Sequence, residues 1–200
     1  MYLKKKGGNN NLKVKLGTKL KVSRGPHIKK VERNMDRLNT PNISEAYIVS
    51  YEDIKDYNFN FNSTLAVRCN DNRRVFVDFD KRHKRNQVKS EDIIISCQSI
   101  FNRPRLIIFD ETLEENKYIY DNSCLYLRKI SDDVDMKFIY HLMTTNKIRN
   151  TINKMYEEKR KITCDWIENE IIIDFPSLAE QQRIVRELEY MRKNLEDLIG

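Results

Sequence analysis

Glycine and proline are scarce in this sequence, five and four in 200 residues. No P-loop, no G-x-S-x-G elbow and no H-E-x-x-H helix can be found. Also missing are the N/D-P-P-Y/F loop of an adenine methyltransferase and a glycine-rich loop after a first strand. These absences leave the chain without a cofactor-binding or catalytic loop of those kinds. The four cysteines, Cys69, Cys97, Cys124 and Cys164, stand at least 27 residues apart, with no C-x-x-C pair. No histidine sits at zinc-ligand spacing from them, so a zinc ribbon is excluded. An even count leaves disulfides open, while free thiols in a reducing cytoplasm are the expected state. No apolar run approaches the roughly 18 residues of a membrane span. The opening MYLKKKGGNN lacks the apolar stretch of a signal peptide, so the expected location is the cytoplasm, with no membrane partner. No repeat with a period of about 20–50 residues is visible.

What is present is enough to build a core. Forty per cent of the residues are hydrophobic, including ten Tyr and eight Phe, which suits one domain with an appended helix. Charge is unevenly distributed. Residues 1–90 hold 21 Lys and Arg against 9 Asp and Glu, a net of +12. Residues 91–200 hold 16 against 21, a net of −5. So lopsided a chain points its amino-terminal half at a polyanion. Nucleic acid fits best, because phosphates reward clustered Lys and Arg through counterion release. A membrane surface fits less well, since the basic residues do not lie on an amphipathic helix.

Periodicity divides the chain into three parts. Residues 1–11 read as a flexible basic tail. Residues 12–176 form the main domain, and residues 177–200 a helix. LKVKLGTKLKV (12–22) alternates apolar and basic residues, as an amphipathic strand or a short helical entry would. SRGPHIKK (23–30) is a turn or loop. Strands are expected at AYIVSY (46–51), VFVDF (75–79), DIIIS (92–96), RLIIF (105–109), SCLYLR (123–128) and EIIID (170–174). From about residue 132 the period becomes helical, with Val134, Phe138 and Leu142 on one face and Asp132, Asp133 and Asp135 near its positive end. A second helical piece carries Ile148, Ile152 and Met155. The class is α+β, a mixed-sheet domain followed by a long carboxy-terminal helix.

The basic residues fall in loops and turns. Arg24, His27, Lys29, Lys30, Arg33 and Arg37 follow the first strand. Arg73 and Arg74 sit in a turn, and Lys81, Arg82, His83, Lys84 and Arg85 make the densest cluster. Arginine can read guanine edges through two hydrogen bonds, and lysine neutralises phosphate. Gln98, Ser99, Asn102 and Arg103, between two apolar strands, bring donors suited to base edges. About half of the basic residues are expected to touch nucleic acid, mostly at phosphates. His83 reads as a solvated member of its basic loop, and Gln98 could instead cap a turn. Two other functions compete with DNA reading. One is an RNA-binding or other nucleic-acid adaptor using the same loops. The other is a metal nuclease, for which Asp78, Asp80, Asp110 and Glu111 flank strands; it would need oxygen ligands converging on one ion. Acidic residues beside strands are common solvated punctuation, so no metal site is assigned.

The chain ends in FPSLAEQQRIVRELEYMRKNLEDLIG. Ile184, Leu188, Met191, Leu195 and Leu198 recur at steps of 4, 3, 4 and 3, the rhythm of a coiled-coil seam. Ser177 and Glu180 form an S-x-x-E capping box after Pro176, placing the helix start near 177. The stripe either pairs with a second helix or folds back on its own domain.

FPSLAEQQRIV resembles the junction of specificity (S) subunits of type I restriction–modification systems, where a target recognition domain leads into a long helix. Pro176, Leu178, Glu180, Gln181, Ile184 and Val185 carry that likeness. LGTKLKVSRG (16–25) is similar to the family's opening segment. VKSEDIIIS (88–96) resembles its x-G-D-I-L-x-S strand, with Asp92, Ile93 and Ser96 in place and Glu91 where the family has glycine. DMKFIYHLMTTNKIRNTI (135–152) resembles the family's helix pair. MYEEKRKIT (155–163) replaces a Gly/Ser-rich segment, though Lys159, Arg160 and Lys161 can still approach phosphates. The resemblance covers the chain from about residue 12 and implies a half-length S subunit that is not catalytic by itself. It implies duplex DNA as ligand, modification subunits that bring S-adenosylmethionine, and a restriction subunit in complexes that cleave. No cofactor is expected in this chain. A homodimer through the terminal helix would bring two recognition domains together.

Overall fold

The computed structural model describes residues 12–50, 53, 73–79, 83–96, 106–108 and 117–199. Nine strands and four α-helices are described. The strands are β1 (Leu12–Lys15), β2 (Leu20–Arg24), β3 (Ile43–Val49), β4 (Arg74–Asp78), β5 (Ile93–Ser96), β6 (Leu106–Ile108), β7 (Tyr118–Tyr120), β8 (Cys124–Lys129) and β9 (Ile172–Phe175). The helices are α1 (Met136–Thr144), α2 (Asn146–Lys159), α3 (Cys164–Glu170) and α4 (Leu178–Ile199). The alternating segment 12–22 is two strands rather than one element. A turn of 3-10 helix at Leu16–Thr18 separates them and sends β1 and β2 into different sheets.

The larger sheet runs β2-β8-β5-β6, all antiparallel. A smaller sheet, β4-β3-β7, is mixed, with β3 antiparallel to β4 and parallel to β7. β1 pairs antiparallel with β9, joining the start of the domain to the strand before α4. Strands β5 and β8 read as continuous apolar runs because both faces are covered. On one side Ile93, Ile95, Leu125 and Leu127 meet Phe138, Ile139 and Met143 of α1, Ile152 of α2 and Ile167 of α3. On the other, Ile94, Cys124 and Tyr126 pack with Val49, Val88 and Tyr120. The large sheet therefore sits between the helices and the small sheet.

Short polar contacts set the element boundaries. Asp135 caps α1 by accepting from the Phe138 N–H at 3.0 Å. Thr145, extended at φ −61° and ψ 146°, breaks α1 from α2. Thr163 caps α3 through the Trp166 N–H at 3.2 Å. Helix α3 went unseen in the sequence because its seven residues are too few to show a period. Glu168 on α3 accepts from the Val22 N–H at 2.8 Å, occupying a donor on the otherwise open edge of β2. Gly17 lies so close that a Cβ there would meet Glu168 Cβ at 2.6 Å. Gly25 faces the turn between β7 and β8, where a Cβ would stand 2.0 Å from the Asp121 carbonyl oxygen. That approach welds the end of β2 to the junction of the two sheets, and only glycine fits it. Cys124 is buried and Cys164 half-buried, neither in a disulfide; Cys69 and Cys97 lie outside the described residues.

Candidate nucleic-acid interface

The cations that the sequence grouped as 24–37 divide between two places. Arg24, at the end of β2, donates to the carbonyls of Ile162 at 2.9 Å and Asn122 at 3.3 Å. It thereby sits beside the turn after α2, where Lys159, Arg160 and Lys161 are all exposed. Arg160 holds φ 55° and ends α2, its N–H reaching the Tyr156 carbonyl at 2.8 Å. The sequence treated these as separate groups 135 or more positions apart, and the structure makes them neighbours.

The second place lies on the small sheet. A 3-10 turn at Lys30–Arg33 rests on β4, and another at Lys84–Asn86 follows His83. His27, Lys29, Arg33, Lys84 and Arg85 are exposed there. His83 corrects an expectation. It is no solvated loop residue but is 2 % exposed, with Nε2 2.9 Å from Glu32 Oε1. An ionised carboxylate only accepts, so the imidazole that partners it there is the one that donates from Nε2. Glu32 is equally hidden and also accepts from the Lys29 N–H at 2.7 Å.

Three of the predicted arginines serve the fold. Arg37 donates to the Phe76 carbonyl at 2.7 Å, fixing the 3-10 turn Met35–Asn39 on β4. Arg73 donates to Ser50 Oγ and lies 3.9 Å from the buried Asp53. Arg74 pairs with Glu45 at 3.8 Å across β3 and β4. Lys30 opens its 3-10 turn. Lys81, Arg82, Gln98, Ser99, Asn102 and Arg103 lie outside the described residues. So do Asp80, Asp110 and Glu111 of the nuclease reading, while Asp78 ends β4. Among the described residues no group of three or more His, Cys, Asp or Glu is placed to hold a metal ion.

A buried polar knot supports this face. Asp92 accepts from Arg128 Nε at 2.8 Å and Nη2 at 2.6 Å, from the Tyr120 hydroxyl at 3.0 Å and from the Lys89 N–H at 2.9 Å. Burial, then the Asp92 charge, pushes the Tyr120 hydroxyl well above the usual tyrosine range. For Arg128 burial works against the charge, but the hydrogen bonds and charge of Asp92 win and its pKa is raised. Tyr120 and Tyr126 stack with centroids 4.5 Å apart, and Arg128 lies over the Tyr126 ring. Glu91 takes φ 63°, the left-handed conformation that the glycine of the resembling motif would supply. Its carboxylate meets Lys129 at 2.7 Å. The turn survives the missing glycine.

Helix α4 leaves the domain from a polar anchor. Gln181 is fully buried. Its amide donates to the carbonyls of Asp133 and Pro176, each at 2.9 Å, and its oxygen accepts from the Asp135 N–H at 2.9 Å. The expected capping box is half made. Ser177 Oγ accepts from the Glu180 N–H at 3.4 Å, but the Glu180 carboxylate turns to Arg183 at 2.7 Å instead of back to Ser177. Of the predicted seam, Ile184 packs on the core and Leu188 is half-buried. Met191, Leu195 and Leu198 are 52, 54 and 82 % exposed. The stripe folds back on its own domain along its first half and stays exposed along its second.

Comparison with known proteins accounts for this arrangement. The family described as type I restriction modification DNA specificity domain matches residues 34–199. The chain belongs to that family. Among solved structures, a chain from work on complex assembly and conformational transition of the type I R-M system superposes with a TM-score of 0.60 at 15 % identity. It covers 94 % of this chain and 39 % of that one. The HsdS subunit from Thermoanaerobacter tengcongensis gives 0.58 at 15 % identity, over 95 % of this chain and 39 % of that one. The S subunit of a type I restriction–modification system from M. genitalium gives 0.50 at 12 %, over 93 % and 41 %. The chain thus spans about two fifths of the length of the solved chains it matches, and at such identity they show a shared fold. No curated protein matches. The RNA-adaptor and nuclease alternatives gain no support from these comparisons.

Proposed function

We propose that this domain is the DNA-reading half of a type I specificity subunit, binding duplex DNA at one half-site and leaving the chemistry to partner subunits. The observation that carries this reading is the sorting of charge by the fold. Three acidic side chains of the basic region and its border, Glu32, Asp53 and Asp92, are buried, while Lys29, Arg33, Lys84 and Arg85 stand outside. Asp53 and Asp92 are buried against Arg73 and Arg128, so these pairs take no net charge from the surface, and the outward cations of the two turns remain for phosphates. Base reading falls to side chains at the tips of the same face, and modification subunits supply S-adenosylmethionine and adenine methylation. The exposed end of α4 pairs with a second copy in antiparallel fashion, so the full site is an inverted repeat with a fixed spacer. The helix, 22 residues long, spans about 33 Å at 1.5 Å per residue and acts as that spacer. A restriction subunit, where one is present, joins the same complex in the cytoplasm. No described helix is long and apolar enough to cross a membrane.

Selection of duplexes from a random pool, with RNA as competitor and at two salt concentrations, tests the reading. An enriched inverted repeat is expected. Equal binding of RNA and unselected DNA would remove the sequence-reading role, and cleavage of DNA by the purified chain with magnesium would restore the nuclease. Methyl transfer without added modification subunits would overturn the division of labour.

A further inference from the structure

Glu32 and His83 stand 51 positions apart, yet they meet in the interior beneath two turns that carry exposed cations. Burying a carboxylate is unfavourable unless hydrogen bonds compensate, so such a pair needs a reason. Each member is also the pivot of its own turn. Glu32 closes the first, its Oε2 and its N–H both engaging the backbone of Lys29, at 2.7 and 3.0 Å. His83 closes the second. Its carbonyl accepts from the Asn86 and Gln87 N–H groups at 2.9 and 3.0 Å, and its own N–H reaches the Asp78 carbonyl at 3.2 Å. The first turn carries Lys29 and Arg33 outward, the second Lys84 and Arg85.

We infer that Glu32 and His83 form a latch that positions these two turns as one cationic surface for DNA. Neither residue touches the ligand; both are positioning residues, and the inference rests on the DNA-reading role proposed above. The latch has two effects. It fixes the spacing between cations from distant parts of the chain, which must match the spacing of phosphates. It also withdraws the Glu32 charge from the surface that a polyanion approaches. Without the imidazole, Glu32 loses a contact that joins its turn to the other, and the two turns are free to move apart.

The test compares His83→Ala, His83→Gln and Glu32→Gln in the full chain. A glutamine at position 83 can place an amide N–H near the position of Nε2, and a glutamine at 32 keeps hydrogen-bonding atoms in place without the charge. Hydrogen exchange needs no DNA. In His83→Ala, amides of both 29–33 and 83–87 should exchange at least about tenfold faster while β5 and β8 stay protected. Faster exchange in one segment alone overturns the latch. With DNA, His83→Ala should bind about tenfold more weakly. Its dependence on salt should be shallower by about two, since each phosphate that is no longer neutralised takes about 0.9 from the slope. His83→Gln should recover most of the affinity and most of the slope. An unchanged salt slope in a folded His83→Ala protein overturns the inference. Should His83→Ala not fold, Glu32→Gln and His83→Gln decide: the latch needs coupled exchange in the two turns, and independent exchange ends it. Failure of the wild type to select any DNA sequence would instead strike the proposed function, leaving the exchange result to judge the latch.

Discussion

The two halves of α4 share one apolar rhythm and meet different fates. In the first half Gln181, Ile184 and Val185 are drawn into the domain, and Leu188 is half-covered. In the second half Met191, Leu195 and Leu198 face solvent, with Tyr190 exposed alongside. The spacing of 4 and 3 does not distinguish them. What differs is the cover available: α4 has 22 residues and the α1 helix it lies against only nine, so part of the stripe is left without a neighbour among the described residues. An apolar stripe is therefore a demand for a partner, and the geometry of the rest of the chain decides how much of that demand is met internally.

Changes at the outer half should have the largest effect, and on association alone. Leu195→Asp with Leu198→Asp removes four leucines from a symmetric pair of helices. At roughly 1.5–3 kcal/mol for each buried leucine, less the ordering costs of association, the proposed dimer should weaken at least ~100-fold. Sedimentation of wild type and double variant checks this. A wild type that stays monomeric at high concentration, or a variant that stays dimeric, removes the outer half as the interface. Melting of the isolated domain should hardly change.

At the inner half the effect should fall on stability. Gln181→Ala leaves two carbonyls and one N–H without their side-chain partner. Three hydrogen bonds at about 0.5–1.5 kcal/mol each predict a loss of ~3 kcal/mol, or roughly 10 °C in melting temperature for a chain of this size. A melting temperature within 2 °C of wild type, measured with about 1 °C precision by calorimetry, would show that the anchor does not matter.

A smaller, pH-dependent effect should appear where α1 faces α4. Burial lowers the pKa of His141, outweighing Glu189, while Arg192 and Lys137 lower it further and Asp135 opposes them weakly. A histidine whose folded pKa lies below its unfolded value favours the fold in its neutral form. Its contribution is present above the unfolded value, near 6.5, and is lost as pH falls through the folded one. His141→Gln should therefore lose less melting temperature than wild type between pH 7.5 and 5.5. Parallel slopes for the two proteins would assign the acid sensitivity elsewhere.

The smallest effect is expected far from the helix. Glu91→Gly relieves a left-handed residue at φ 63° but gives up a surface pair with Lys129 and adds freedom to the unfolded chain. The balance is a gain of about 0.5 kcal/mol, because the strain relieved slightly exceeds the other two. A fall in melting temperature would show that the pair outweighs the strain. Neither end of α4 should respond.

Much of the fold was legible because it rests on local signals. β5, β8 and β9 announced themselves as apolar runs, α1 by its period and by Asp135, and α4 by Pro176, Ser177 and its stripe. The parallel strand β7 was not legible: KYIYD is too short to separate from loop, and pairing with β3, with a bridge to Gln87 on its other side, makes it a strand. The sites divide in the same way. That cations cluster in residues 1–90 is composition. That Arg37 and Arg73 bind backbone and buried acid, and that His83 hides against Glu32, depends on contacts between residues about 20 or more positions apart.

The sequence by itself determined the α+β class, the polyanion-seeking charge, the lack of a P-loop and of methyltransferase loops, and the helical stripe, because each is a local or summed property of residue types. Tertiary structure alone decided which charges stay on the surface, which half of the stripe is left open, and that Arg24 joins Lys159, Arg160 and Lys161. Those outcomes follow from burial and hydrogen bonding between distant segments, where the cost of hiding a charge is met by a partner that spacing along the chain does not reveal.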